Sequence, residues 1–213
     1  SKISKFVTNN KKSIAVRFPK HKLLRNLLKN LDYPVAAPSA NISSRLSSVK
    51  PSDVKEEFGS KIKYILNGGK SKIGVESTIL NLLEKPSLLR YGGLDTKKIE
   101  NVLKKKLLIN TNSKKKLSPG LFPLHYSPGI PLRVNVKKPK KDEAYLLIKK
   151  RKSKLKNYYY LSKMKNIDEA AKNLYSTLRK IKNDGFKKIA VEKIPNKGLG
   201  KTINDRLKRA SKY

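Results

Sequence analysis

The sequence predicts an α/β layered fold in two unequal units. Three observations carry this. Short apolar runs alternate with segments of helical period over residues 13–109. A stretch rich in Lys, Pro and Gly, without period, then interrupts the pattern. A second strand–helix alternation follows from residue 132. The predicted boundaries are a first domain over 1–109, an ordered linker over 110–131 and a small α/β domain over 132–213.

Ser1 to Lys12 is a basic run without apolar period, read as structureless. Ser13-Ile14-Ala15-Val16 reads as a strand ending at Arg17. Leu23, Leu24, Leu27, Leu28 and Leu31 keep helical spacing, so Lys20 to Leu31 is an amphipathic helix. Pro34 stops it, because the proline ring disfavours a helical residue before it. Val35 to Ala37 reads as a short buried strand. Pro51 suits a first helical turn, Asp53 and Glu56 suit its positive end, and Gly59 suits its stop. Ile62 to Leu66, Ser77 to Leu83 and Ser87 to Tyr91 read as strands. Asp95 or Thr96 caps a helix carrying Ile99, Val102 and Leu103. Several prolines between Leu117 and Pro131 fix φ, which argues for order in the linker.

In the second unit, Ala144 to Ile148 and Tyr158 to Leu161 read as strands. Ile167, Ala170, Ala171, Leu174, Leu178 and Ile181 mark one face of a helix that Asp184-Gly185 ends. Ile189-Ala190-Val191 is a strand. Gly198-Leu199-Gly200 opens a last helix, with Ile203, Leu207 and Ala210 inward and Arg206, Lys208, Arg209 and Lys212 outward. About eighty residues make a small unit, so it is expected to dock on the first through the linker.

Composition sets outer bounds. The chain has 213 residues, 37% of them hydrophobic, which allows a modest core. It has no cysteine, so disulfides and thiolate metal sites are excluded. No apolar run is long enough to span a bilayer, and the opening residues carry no apolar signal segment, so a cytoplasmic protein is expected. The formal charge of +37 suits a polyanion such as RNA. Lys, Asn and Ile are all abundant, a bias that an AT-rich genome would also produce, so the charge alone names no binding face.

Three segments between Pro34 and Tyr91 join small residues, hydroxyls or a lone charge to apolar runs. They are Ala36-Ala37-Pro38-Ser39-Ala40-Asn41 with Ser43 and Ser47 behind, Gly74-Val75-Glu76-Ser77-Thr78-Ile79, and Leu89-Arg90-Tyr91-Gly92. Small residues let backbone N–H groups approach an anion, and hydroxyls add donors without charge. Each segment alone reads as well as an ordinary turn. In this order and spacing they resemble the YrdC-like threonylcarbamoyl-AMP synthases. The resemblance extends to Ile14-Ala15-Val16-Arg17-Phe18-Pro19-Lys20-His21. It also covers Ser118-Pro119-Gly120 with His125-Tyr126-Ser127-Pro128, which is similar to the linker of the two-domain version. Gly198-Leu199-Gly200 through Asn204-Asp205-Arg206-Leu207 is similar to the last helix of that version.

The resemblance implies a partial YrdC-like, twisted mixed-sheet domain with a concave site, followed by a small Rossmann-like α/β domain. It implies a nucleotidyltransferase that makes L-threonylcarbamoyl-AMP and pyrophosphate from L-threonine, bicarbonate and ATP, for threonylcarbamoyladenosine modification of tRNA. Such chemistry needs positioning and charge neutralisation more than a nucleophilic side chain, so no catalytic residue is assigned. Ser13, Ser39, Ser47, Arg90 and Tyr126 match nucleotide contacts, and Tyr126 would fold over the site as part of a lid. Arg17, Ala37 and Ser77 match threonine contacts; the planar Arg17 fork suits a carboxylate. Mg²⁺ is expected with ATP, held by phosphates and water rather than by protein ligands. His21 and His125 lack acidic partners at ligand spacing and make a weak metal signal. Glu76 reads as a salt-bridge partner on a solvated face, outside the catalytic set.

Expected partners are tRNA or tRNA-modification proteins, with no membrane. The family places a third of its first domain, with a Lys/Arg phosphate motif, before the Ser13 strand, so the chain is expected to be an N-terminally truncated member, with an inactive fragment as one reading. Ser44 stands where the family usually has Gly, Ser48-Val49 where it has Pro-Thr, and Asn81 where it often has Asp. Phe122-Pro123-Leu124 stands where the approach to His125 is usually more polar. The alternative function is a non-catalytic module for double-stranded RNA or tRNA. A carbamoyl-transfer domain of hydrogenase maturation shares the segments, but the second domain argues against it.

Overall fold

The computed structural model describes residues 3–111, 125–152 and 155–212. The stretch Leu117 to Leu124, expected to open an ordered lid, lies outside the described residues.

The first unit departs from expectation at its start. A short helix, α1 (Lys5–Thr8), replaces the structureless run; the Ser4 hydroxyl accepts from Phe6 N–H, and Asn9 closes the turn with φ 50°. Helix α2 (Lys22–Lys29) forms as the leucine spacing requires. The strands expected at 13–16, 35–37 and 62–66 do not form. Their apolar residues could line a sheet, but a strand exists only where a neighbour completes its ladder of hydrogen bonds. Among the described residues these segments find no such neighbour, and Val16 and Phe18 are more than 80% exposed (82% and 87%). Helix α3 (Pro51–Phe58) begins with Pro in its first turn and ends at Gly59, φ 54°. The buried Asp53 carboxylate accepts from Val49 N–H at 2.9 Å, tying the helix to the loop before it.

Three strands make the first sheet, β1 (Ile79–Asn81), β2 (Ser87–Arg90) and β3 (Leu108–Ile109), in the order β1-β2-β3. The β1–β2 pair is antiparallel and sets Ile79 opposite Arg90; β2 and β3 are parallel. The crossover between β2 and β3 is helix α4 (Thr96–Leu103), capped by Asp95, whose carboxylate accepts from Lys97 N–H. All four residues of β2 are buried.

The second unit follows its predicted pattern closely. Strands β4 (Leu132–Arg133), β5 (Ala144–Lys149), β6 (Tyr158–Ser162) and β7 (Ile189–Val191) form a parallel sheet in the order β4-β7-β5-β6. Helix α5 (Ile167–Asn183) joins β6 to β7, and α6 (Leu199–Ala210) follows β7. Ala144, Leu146 and Ile148 share one core with Leu174, Leu178 and Ile181 of α5 and Ile203 and Leu207 of α6. Tyr145, Leu147 and Ala190 face the other way into a small second cluster. The Asn166 side chain accepts from the N–H groups of Asp168 and Glu169 at the start of α5. Asn166→Ala is therefore expected to cost about 1 kcal/mol in urea unfolding.

The two units share a core. Leu46, Val49, Tyr126 and Ile130 belong to the same cluster as α5 and α6, and Val75 packs against it. Docking is thus made directly by α5 and α6, in addition to the linker. Gly74, φ +82°, lies so close to α5 that an added Cβ would sit 2.5 Å from backbone atoms of Lys172. Gly74→Ala combines that clash with a left-handed φ, and should lower unfolding stability by about 2 kcal/mol or more. Arg179 of α5 reaches α3, 3.7 Å from Asp53 and 3.6 Å from Glu57.

Candidate functional site

The site is best built outward from Glu76. It follows Gly74 in the loop before β1, which is pressed between the first sheet and the second unit. Its Oε1 accepts from the Ser47 hydroxyl at 2.5 Å and from the Tyr175 hydroxyl at 2.9 Å. Its Oε2 accepts from Tyr175 at 3.0 Å and from Arg206 Nε at 2.8 Å. Arg206 is 1% exposed. A second arm of its guanidinium donates to the Tyr91 carbonyl at 2.8 Å, and another to the Asp205 carboxylate at 2.5 Å. Its carbon centre lies 4.5 Å from the Tyr126 ring centroid, close enough for a cation–π contact.

Arg90, at the end of β2, points to the same junction. Its Nε and one terminal nitrogen donate to the Ser77 carbonyl at 3.2 and 2.9 Å. Tyr126 enters from the described end of the linker, where Ser127 N–H donates to the Ser44 carbonyl at 2.9 Å. Ser44 and Tyr126 both hold positive φ, 68° and 62°. That explains why a position such as Ser44 favours glycine. His125 lies against Tyr126, ring centroids 4.0 Å apart.

Four of the predicted site residues, Ser47, Ser77, Arg90 and Tyr126, therefore meet around Glu76 and Arg206. The other four lie before α3. Arg17, Ala37 and Ser39 are exposed, and Ser13 is half-buried. Their segments do not take part in the Glu76 network. The Ser39 carbonyl accepts from Asn41 N–H, and Ser48 Oγ donates to the Ala40 carbonyl at 2.6 Å, so the loop is internally braced.

Two sequence expectations need correction. Arg206 and Arg209 were expected to face outward on the last helix; both are buried. Glu76 was expected on a solvated face; it sits at the seam between the two units, paired with Arg206. The physical reason is pairing: a buried guanidinium is tolerated where carboxylates and carbonyls accept all its arms. Tyr175 was missed altogether, because an inward Tyr on a helix looks like core until its hydroxyl is traced. The available signal was Arg itself, scarce in a chain whose cations are mostly Lys.

Electrostatics follow the same geometry. Burial raises the Glu76 carboxyl, but the Arg206 charge and the donors from Ser47 and Arg206 outweigh it, and the net shift is below the ordinary carboxylate value. Burial, then the neighbouring carboxylate, pushes the Tyr175 hydroxyl well up, so it stays protonated and donates. A depressed folded-state value means that Glu76 adds stability above the unfolded carboxyl range, around 4.5, and that this is lost as pH falls through the folded value. Acid unfolding of Glu76→Gln should accordingly be shallower than that of the unaltered chain.

Comparison with known proteins gives the family. The family model Sua5_yciO_yrdC, described as telomere recombination, matches residues 1–92. The model of the threonylcarbamoyl-AMP synthase C-terminal domain, Sua5_C, matches residues 94–212. The threonylcarbamoyl-AMP synthase of Pyrococcus abyssi is 32% identical over 233 residues, covering 99% of this chain and 67% of that protein. The Bacillus subtilis synthase is 29% identical, covering 98% and 66%. A crystal structure of P. abyssi Sua5 complexed with L-threonine superposes with a TM-score of 0.85 at 31% identity, over 98% of this chain and 67% of that one. The chain thus spans about two thirds of the length of these relatives. Across both of its units, this chain belongs to the YrdC-like family of threonylcarbamoyl-AMP synthases, nucleotidyltransferase-type enzymes of tRNA threonylcarbamoyladenosine modification.

Proposed function

We propose that this chain provides the nucleotide side of an L-threonylcarbamoyl-AMP synthase site, built jointly by its two domains. The observation that supports this best is the meeting of Ser47, Arg90 and Tyr126 in one buried network at the junction. In the reaction, a carbamate formed from L-threonine and bicarbonate attacks the α-phosphate of ATP. Pyrophosphate leaves, and threonylcarbamoyl-AMP remains for transfer to an adenosine of tRNA in the cytoplasm.

The protein's part is to hold charge and exclude water. Arg90, whose Nε and one terminal nitrogen are fixed on the Ser77 carbonyl, would bring cationic charge near the phosphates. The Ser39 loop would add its hydroxyl and backbone N–H, with Ser13 completing the nucleotide contacts. Arg17, Ala37 and Ser77 would hold L-threonine, the Arg17 fork meeting its carboxylate. Tyr126 would cover the reactive anhydride. Among the described residues there is no group of three or more acidic or His side chains able to cage a metal. Mg²⁺ would ride on the ATP phosphates and water.

Isothermal titration of the full chain with ATP and with L-threonine tests the proposal. Saturable binding of both is expected; heats indistinguishable from dilution would overturn it. The charge of +37 is compatible with tRNA as a partner. Binding of tRNA should weaken linearly in log K against log salt.

A further inference from the structure

Glu76 and Arg206 belong to neither expected set of substrate contacts, yet they touch residues of the nucleotide set from two sides. The Ser47 hydroxyl has one hydrogen, and it is committed to Glu76 at 2.5 Å. That fixes the Ser47 rotamer, leaving its oxygen lone pairs and backbone N–H for a ligand. Tyr126 has the Arg206 guanidinium on one face, and the ring of Tyr175 stacks with it at 6.0 Å. Thr202, one turn before Arg206 on α6, donates to the Gly92 carbonyl at 2.9 Å. The second unit thus grips both sides of the Arg90 turn and the Glu76 loop with three side chains, Tyr175, Thr202 and Arg206.

We propose that Arg206, assisted by Tyr175, is a positioning residue: through Glu76 it fixes Ser47, and by its stacking it fixes Tyr126, so that the nucleotide side of the site is formed by docking of the second domain. This rests on the function proposed above. Without Arg206, the Glu76 carboxylate loses its charged partner and keeps the Ser47 and Tyr175 hydroxyls and a backbone N–H, which favours taking a proton or swinging outward. Either change releases Ser47 and unseats Tyr126. Two of the three residues in the threonine set are placed differently: Arg17 and Ala37 lie on exposed segments outside this network, and Ser77 enters it through its backbone carbonyl, which Arg90 and not Arg206 holds. Loss of Arg206 should therefore separate the two ligands.

The experiment uses the full chain and its Arg206→Met, Arg206→Lys, Tyr175→Phe and Lys208→Ala variants, the last on the exposed face of the same helix. ATP and L-threonine affinities are measured by titration, and amide hydrogen exchange is followed over residues 45–49. Arg206→Met is expected to weaken ATP about tenfold or more while L-threonine changes less than about twofold, a difference of about 1 kcal/mol or more between ligands. Exchange over 45–49 should accelerate by a similar factor while β5 stays protected. Arg206→Lys should recover part of both effects, and Lys208→Ala should show neither.

A merely structural role would lower the melting temperature without separating the ligands. Folded Arg206→Met and Tyr175→Phe variants with unchanged ATP affinity and unchanged loop exchange would overturn the proposal. If Arg206→Met does not fold, Tyr175→Phe decides, because it keeps the ring and the ion pair. If the unaltered chain binds no ATP, the proposed function fails, and loop exchange alone decides the positioning role.

Discussion

Glu76→Ala is expected to cost about 3–5 kcal/mol of unfolding stability, because it strands a buried guanidinium without its carboxylate. Arg206 is 1% exposed, and its Nε has Glu76 as acceptor at 2.8 Å. Asp205 remains nearby but lies on the same helix and already holds another arm of the fork. The Tyr175 and Ser47 hydroxyls lose their acceptor at the same time. The loss is thus of a network and not of one pair. The same logic predicts that removing both charges is milder than removing one. A Glu76→Leu, Arg206→Met double variant should recover at least about 1 kcal/mol relative to Glu76→Ala. Urea unfolding of the three chains measures both outcomes.

Gly92→Ala should be comparably severe, for a steric reason. A Cβ built on Gly92 would lie 2.1 Å from Thr78 N, 2.2 Å from the Ser77 carbonyl carbon and 2.5 Å from the Glu76 carbonyl oxygen. All three are backbone atoms, so no side chain can turn away. The Arg90 turn would have to part from the β1 loop, breaking the Gly93 N–H bond to the Glu76 carbonyl at 2.8 Å. It would also draw the Gly92 carbonyl from Thr202. A cost of about 3 kcal/mol or more is expected, at the upper end for an overpacked site. Thermal unfolding should show it, and weaker ATP binding should accompany it in whatever fraction remains folded.

What the sequence made legible follows from where its signals are local. The α5 stripe from Ile167 to Ile181 and the Asn166 cap state a helix and its start without reference to anything distant. Strand β5 is nearly all apolar, as a parallel strand buried on both faces requires. The segments around Val16, Val35 and Tyr64 failed as strands because an apolar pattern names a face and not a partner. The candidate residues were legible as motifs, and four of them, Ser47, Ser77, Arg90 and Tyr126, lie together in the structure. Their supports were not. Arg206 follows Ile203 by three positions, on the flank of the buried stripe, and its charge argued for solvent. Its acceptor stands 130 residues away, and no local pattern carries that information.

The proposed adenylate site is built by both domains, and amide chemical-shift mapping of an ATP titration tests this directly. The predicted result is a saturable set of shifts in residues 44–49, 76–78, 90–92 and 125–127, accompanied by residues 202–209 of α6. Saturable shifts confined to one domain, or spread over exposed lysines without the Glu76 loop, would contradict it.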